Sequence, residues 1–336
     1  MLKELTELLG VSGNEGAVRS FIENEIKDFC TSLRTDSMGN LIAFKKASVP
    51  TEKTVLLSAH MDEVGFIVTG ITDDGYLKFD SVGGIDPKIL VSQRVTNGSI
   101  SGVIALKAIH LTAKAEREKP VTLDMLHIDI GAADKAEAER YVTPGDCFGF
   151  SSDYVEFGSM IKAKALDDRV GCCIMIDILK SEHPVNLYCA FTVQEEVGLR
   201  GARIAAHGIN PDFAVVIEGT TCSDMTATPE NLRVTKSGNG AAISVIDSAS
   251  RAEGELVSAL VKTAKRHGIK HQYKAAAAGG NDAGALYVSN GGIKTASISV
   301  PCRYIHSPVC VMSRSDFESC GDIVKAFLND FGKDLI

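Results

Sequence analysis

Five short stretches between residues 59 and 307 each place a metal-ligand residue type just after an apolar, strand-like run. They are Ala59-His60-Met61-Asp62, Leu166-Asp167-Asp168-Arg169, Gln194-Glu195-Glu196-Val197, Ile217-Glu218-Gly219 and Tyr304-Ile305-His306-Ser307. Together they offer imidazoles and carboxylates, the mixed nitrogen and oxygen donor set that binds zinc or cobalt and leaves a position for a catalytic water. Strands of an open α/β sheet end where their ligands bind, so residues far apart in sequence can converge on one crevice. A binuclear metal site is the reading that uses all five stretches.

Taken singly, each stretch has an ordinary explanation. A His after a strand is commonly a hydrogen-bonded structural residue. Asp62 strengthens the case for His60, because a ligating imidazole often has its second ring nitrogen ordered by a nearby carboxylate. Asp167 and Asp168 would suit an exposed helix start, where the macrodipole favours negative charge. Their flanks, Ala165-Leu166 and Val170-Gly171-Cys172-Cys173, are apolar, however. At least one of the two carboxylates is then buried and needs a counter-charge, part of which Arg169 can supply. The pair Glu195-Glu196 is the sharpest signal: two like charges follow an apolar strand, with no cation before Arg200. A metal ion resolves their repulsion if Glu196 binds it while Glu195 holds a proton in transit as a general base.

The elements that must position these residues are legible in the pattern. A chain of 336 residues exceeds the usual single core, so one large domain with an insertion, or two domains, is expected. Ser12-Gly13-Asn14-Glu15 has the form of a capping box, and Val18, Phe21, Ile22 and Ile26 behind it predict an amphipathic helix. Leu41 to Phe44 and Val55 to Ser58 read as strands, the second running on to His60. From about Gly65 to Phe157 the texture changes to short alternating strands broken by Gly, Asp and Asn, among them Gly75-Tyr76-Leu77-Lys78-Phe79, Arg94-Val95-Thr96 and Ser101-Gly102-Val103-Ile104-Ala105. This predicts a β-rich domain, residues 66–157, inserted into a larger domain made of residues 1–65 and 158–336. Its charged run, Lys114 to Lys119, predicts a solvated loop.

After Lys162 an α/β rhythm is expected to hold to the end: a helix from about Arg169 to Lys180, strands Asn186 to Val193 and Phe213 to Ile217, a helix from Glu253 to His267, and a strand from Lys294 to Val300. Gly279-Gly280-Asn281-Asp282-Ala283-Gly284 lacks the Lys-Ser/Thr ending of a P-loop and reads as a loop lining the substrate cleft. Ala275 to Ala278 is the one biased tract, and no internal repeat is evident. The fold class that follows is α/β, a central mixed sheet flanked by helices, with the small β-rich insertion.

A formal charge of −8 and the lack of any Lys/Arg block argue against a nucleic-acid surface. The start lacks the apolar stretch of a secretory leader and no later run approaches a membrane span. Nine cysteines, with no C-x-x-C pair, sit mostly inside apolar runs, as reduced core thiols do. A cytoplasmic protein without membrane or nucleic-acid partners is expected.

The stretches Ala59-His60-Met61-Asp62-Glu63-Val64-Gly65, Ala165-Leu166-Asp167-Asp168-Arg169, Glu195-Glu196-Val197-Gly198, Gly279-Gly280-Asn281-Asp282-Ala283-Gly284 and Arg303-Tyr304-Ile305-His306-Ser307, in this order, resemble those of the tetrahedral, or TET-type, di-metal aminopeptidases. That family includes glutamyl aminopeptidases and proteins labelled cellulase M. The resemblance implies a di-zinc peptidase fold whose insertion serves dimerisation. It implies two divalent ions, zinc or cobalt with manganese also compatible: His60, Asp167 and Glu218 on one, and Asp167, Glu196 and His306 on the other, with Asp167 bridging. A cis peptide between Asp167 and Asp168 goes with this. Glu195 is implied as general base, Asp62 as a second catalytic residue, and Gly280, Asp282 and Arg303 as substrate-binding. Many relatives have Asp where Glu218 stands and Glu where Cys310 stands.

The implied activity is removal of N-terminal residues from short peptides by a homododecamer built from dimers. A deacylase or carboxypeptidase of the same clan would use nearly the same ligands. A glycosidase needs two carboxylates and no metal, and a non-enzymatic metal-binding module has no use for an extra carboxylate at Glu195.

Overall fold

The computed structural model describes residues 1–274 and 278–331. Residues 275–277, most of the alanine tract, lie outside the described residues.

Among the described residues the main sheet has eleven strands. Four parallel neighbours form its centre, in the order Asn186–Thr192, Thr54–His60, Phe213–Thr221 and Thr295–Arg303. Their register sets His60 opposite Thr192 and Glu218 opposite Ser299, so the carboxyl ends of the strands come together along one rim. Antiparallel strands extend both sides. Leu41–Lys45 and then Ser32–Thr35 flank Asn186–Thr192, while Cys310–Ser313, Met160–Ala163 and Val155–Phe157 follow Thr295–Arg303. A branch leaves the same strand: Ala241–Ser244 pairs with it and carries His271–Lys274 outside. The apolar run Phe213 to Ile217 is buried along its whole length, as a central parallel strand covered on both faces must be.

Helices cover both faces. On one, Leu166–Leu179, Gly254–Arg266 and Arg314–Asp330 pack in the main core; on the other, the short helices Ala202–Ala205 and Ala283–Tyr287 lie over Leu56, Ala190 and Val216. Gly254–Arg266 buries Leu256, Val257, Leu260, Val261 and Ala264 at helical spacing. It is capped by the Glu253 side chain, and Lys265 and Arg266 occupy its last turn, where the macrodipole favours cations.

Several local expectations change in the folded chain. The helix Gly16–Ile26 forms, but no capping box does: the Ser12 hydroxyl donates to Asp62 at 2.6 Å, and Glu15 accepts the amides of Gly13 and Gln194. Tertiary partners have outbid the local cap. The Lys114 to Lys119 run, expected as a loop, includes a short exposed helix, Lys114–Arg117. Val155–Phe157, inside the stretch 66–157, forms a hairpin with Met160–Ala163 and so joins the main sheet. All nine cysteines are free thiols. Among the described residues no helix is long and apolar enough to cross a membrane.

Between Thr54–His60 and Val155–Phe157 the chain builds a separate closed barrel from Gly65–Ile71, Leu77–Val82, Leu126–Asp129, Ser101–Leu106, Arg94–Thr96 and Cys147–Phe150. Alternation puts Phe66, Leu77, Phe79, Ile104, Ile128, Phe148 and Phe150 inside. Phe66 lies edge-on to both Phe79 and Phe150, at 5.2 Å between centroids in each case. Phe66→Ala is therefore expected to destabilise the barrel by about 3–5 kcal/mol in a denaturant titration. Val49→Ala, at a half-exposed surface position, is expected to stay within about 0.5 kcal/mol.

Candidate active site

His60 ends its strand with the ring almost fully buried. Its Nδ1 lies 3.1 Å from the Asp62 carbonyl and 3.4 Å from Asp62 Oδ1. Nδ1 is thus engaged as a donor, which leaves Nε2 as the ring atom that faces the cluster. That Nε2 faces Asp167 Oδ1 at 3.5 Å, Glu218 Oε2 at 3.7 Å and Glu195 Oε2 at 4.0 Å. His306 repeats the arrangement. Its Nδ1 is 2.8 Å from the carbonyl of Gly84, in the turn after the second barrel strand, and its Nε2 faces Glu196 Oε2 at 3.3 Å and Asp167 Oδ2 at 3.7 Å. One Asp167 carboxylate thus turns one oxygen to each imidazole.

Asp168 plays a different part. It lies close enough to His60 and Glu218 for the three to form a possible metal-holding group, and Asp167, Glu196 and His306 form a second. The Asp168 oxygens, however, accept the backbone amides of His60 and Gly171 at 3.2 and 3.0 Å. Asp167 Oδ1 and Glu218 Oε1 are buried with no hydrogen-bond partner among the described residues. Asp168 fixes the strand end against the helix, whereas Asp167 and Glu218 keep donor atoms in reserve. The peptide between the two aspartates is cis.

Electrostatics describe a site short of positive charge. Burial pushes Glu195 well above the usual carboxylate range, against the opposing pull of His60, and lifts Glu196 to about 7 against that of His306. Burial, reinforced by Asp168, raises Glu218 well above its ordinary value. Burial opposes charge on His306, yet Asp167 and Glu196 push it up to about 9. Burial likewise opposes charge on His60, but Asp167 and Asp62 hold its imidazole well above the usual value. Crowded carboxylates keep protons that cations would displace on binding. The separations fit as well: two ligands of one tetrahedral ion at about 2.1 Å stand about 3.4 Å apart. Orphaned oxygens, imidazole Nε2 atoms whose protons a cation would displace, and these edges suit divalent cations.

The turn carrying Glu195 and Glu196 is held by its backbone. Val193 N donates to Asn40 Oδ1, Gln194 N to Glu15 Oε1, Glu195 N to Asp62 Oδ1 and Glu196 N to Asp62 Oδ2. These contacts hold Gln194 at φ 55°, a left-handed conformation that a non-glycine residue keeps only when its surroundings over-determine it. Gly83, at φ +84°, lets the barrel approach: a Cβ there would meet Val64 at 2.8 Å and the Glu196 Cβ at 3.3 Å. Glu63 turns the other way and takes Lys164 Nζ at 2.7 and 2.8 Å, Arg169 at 3.3 Å and the Gly10 amide at 3.0 Å.

The residues expected to bind substrate are scattered. Asp282 is fully buried and accepts the Thr192 hydroxyl. Arg303 is held bidentately by Asp224 at 2.7 and 2.8 Å. Gly280 is exposed and packs against Ser248 and Ala249. Ser12, Glu15, Asn40 and Gly84, which the sequence reading missed as site residues, act through contacts across long sequence separations and carry no local signal.

Comparison with known proteins identifies relatives along the whole chain. The chain is 30% identical to the glutamyl aminopeptidase of Lactococcus lactis, covering all of this chain and 97% of that protein. It is also 30% identical to the lysyl aminopeptidase of Pyrococcus furiosus, covering 98% and 96%. Its fold matches the TET1 peptidase of Pyrococcus horikoshii, which can assemble into a tetrahedron or a large octahedral shell, with a TM-score of 0.87, 34% identity and 98% of each chain covered. The family model described as M42 glutamyl aminopeptidase spans residues 39–323. With that span and these relatives, the chain belongs to the M42 family of aminopeptidases, hydrolases that act on peptide bonds.

Proposed function

We propose that this chain is a di-metal aminopeptidase that trims N-terminal residues from short peptides, with Glu195 as its general base. One observation carries the reading: the two oxygens of Asp167 face two imidazoles, each of which has its own additional carboxylate. His60, Asp167 and Glu218 would hold one ion and Asp167, Glu196 and His306 the other; zinc and cobalt suit these donors, and manganese is compatible. Bound there, such ions supply Lewis acidity, which acidifies water and polarises the scissile carbonyl.

The remaining work belongs to side chains. Glu195 Oε2 stands 4.0 Å from His60 Nε2, the longest of the close approaches to either imidazole, which leaves it free of ligand duty. Its proton affinity, raised first by burial, suits it to take a proton from the attacking water and pass it to the nitrogen of the leaving amine. Asp62, bonded to the Glu195 amide and ordering His60, keeps base and ligand in one frame. The surplus of carboxylates attracts a free α-ammonium and so favours peptide N-termini over internal bonds.

Self-association through the barrel is part of the proposal. The barrel domain exposes Val103, Ile109, Leu111 and Tyr141, at 44, 71, 64 and 57%, apolar surface that a partner subunit would cover. A solved dodecamer of a similar chain and the tetrahedral assembly of the Pyrococcus horikoshii relative support a twelve-subunit particle.

In Glu195→Gln, kcat is expected to fall by about 10³-fold while metal content, measured by mass spectrometry, stays at the wild-type level. Loss of metal instead would exchange the roles of Glu195 and Glu196. Asp167→Ala is expected to empty both positions and Asp168→Ala to retain metal, since only Asp167 has an oxygen to spare for each group; the opposite pattern would refute the bridge. Sedimentation is expected to give a large oligomer that cleaves short peptides and leaves folded proteins intact. A stable monomer would remove the barrel's proposed role.

A further inference from the structure

On the aminopeptidase reading, the chemistry depends on where one turn points, because Glu195 and Glu196 both stand on it. The turn spans residues 194–200 and is conformationally demanding: Gln194, Gly198 and Leu199 have φ of 55°, 120° and 56°. Its middle is tied to Asp62 through the amides of Glu195 and Glu196. A single carboxylate fixes a point and not a direction, so the turn needs a second anchor at its ends to keep it from pivoting.

That anchor is Asn40. The antiparallel ladder between Leu41–Lys45 and Asn186–Thr192 stops at the pair Leu41 and Phe191, and the fully buried Asn40 stands just before it. There its side chain takes over from the backbone. Asn40 Oδ1 accepts the Val193 amide at 2.9 Å, and Nδ2 donates to the Gly201 carbonyl at 3.0 Å. Val193 and Gly201 are the two ends of the turn, and Gly201 N donates to Val193 O at 3.0 Å. A carboxamide is planar, with its acceptor and donors at fixed angles, so it sets the spacing and the plane of both ends at once. Gly201 leaves room for it, since a Cβ there would run into Asn40 Oδ1 and the Val193 backbone. Asn40 is itself braced: Nδ2 also donates to Asp36 Oδ2 at 2.7 Å, while Asp36 Oδ1 accepts the amides of Met38, Gly39 and Asn40 at 2.9, 3.0 and 3.0 Å.

We propose that Asn40 is a positioning residue of the reaction, a clamp on the neck of the turn that aims Glu195 at the attacking water and Glu196 at the ligand group it forms with Asp167 and His306. It acts only through Val193 and Gly201. Two consequences separate this role from general bracing of the fold. The turn contributes a donor to one ion position and none to the group of His60, Asp167 and Glu218, so loosening the neck weakens the first position and spares the second. Glu195 works in the transition state, so its displacement lowers kcat and leaves KM in place.

The test compares the full-length assembled enzyme with its Asn40→Ala and Asp36→Asn variants. By hydrogen exchange read with mass spectrometry, the amides of residues 193–201 are expected to exchange about tenfold faster in Asn40→Ala, with Gly65–Ile71 and Leu166–Leu179 unchanged. Zinc titrated calorimetrically into chelator-stripped protein is expected to lose about 10- to 100-fold in affinity at one of two positions and none at the other. On the best of a panel of aminoacyl-p-nitroanilides at saturating zinc, kcat is expected to fall by about 100-fold and KM to stay within about twofold. Should Asn40→Ala fail to fold, Asp36→Asn gives the same reading at lower amplitude, about threefold in exchange: whichever way its amide turns, an N–H meets another donor. Exchange that quickens evenly over the whole chain, or equal loss of affinity at both positions, would overturn the clamp and leave Asn40 a bracing residue. Normal turnover and unchanged exchange at residues 193–201 in the variants would overturn the clamp alone. A wild type without turnover on any aminoacyl-p-nitroanilide would overturn the aminopeptidase reading and Asn40's part in it.

Discussion

Everything at the site hangs on one buried carboxylate. Asp62 has no exposed surface, yet it accepts the Ser12 hydroxyl and the amides of Glu195 and Glu196 and stands beside the His60 ring. Burial opposes its charge, but His60, Ser12 and the Glu195 amide together hold it below the usual carboxylate range. A buried charge stripped of such partners costs several kcal/mol, so the N-terminal segment, the His60 strand and the Glu195 turn must be in place together. The neighbouring Glu63 does the same on the other side, tying Lys164, Arg169 and Gly10 to this strand end. Two consecutive acids thus lock His60, Glu195 and the start of the helix Leu166–Leu179 into one frame.

That frame carries a conflict. Five carboxylates, Asp62, Asp167, Glu195, Glu196 and Glu218, crowd around His60 and His306, and most of them are driven towards their protonated forms. Such an arrangement opposes folding, and it persists because the surrounding sheet and helix bury and brace it. Cations entering the cluster would release protons and turn repulsion into attraction. Stability of the fold and readiness for catalysis are therefore in tension at the same atoms.

The donor types were legible in the sequence because strand ends in an α/β sheet announce themselves: an apolar run stops, and a polar residue stands at its end, as at His60, Glu218 and Glu195. The alternation of the barrel strands was equally readable. What could not be read was pairing across distance. Ser12 carried the pattern of a helix cap, but the Asp62 carboxylate was the stronger acceptor. Asp282 stood in a glycine-rich stretch that suggested a cleft, but it is sealed against Thr192 by the helix Ala283–Tyr287 that follows it. Arg303 lay near His306 in sequence, but its guanidinium is claimed by Asp224, a residue 79 positions earlier. In each case local pattern named the residue type, and a partner far along the chain decided its job.

The carbonyl of Gly84 gives the barrel a second meaning. By accepting the Nδ1 proton of His306, a loop of the inserted domain fixes the tautomer of an imidazole in the other domain. The two domains are therefore not interchangeable modules. A barrel transplanted from a relative would have to return a backbone oxygen to the same point, or the imidazole would lose its bearing. Excising the barrel to obtain a small soluble enzyme would remove that oxygen along with any assembly surface. The few residues at the barrel's inner turn are thus tied to the geometry of the other domain.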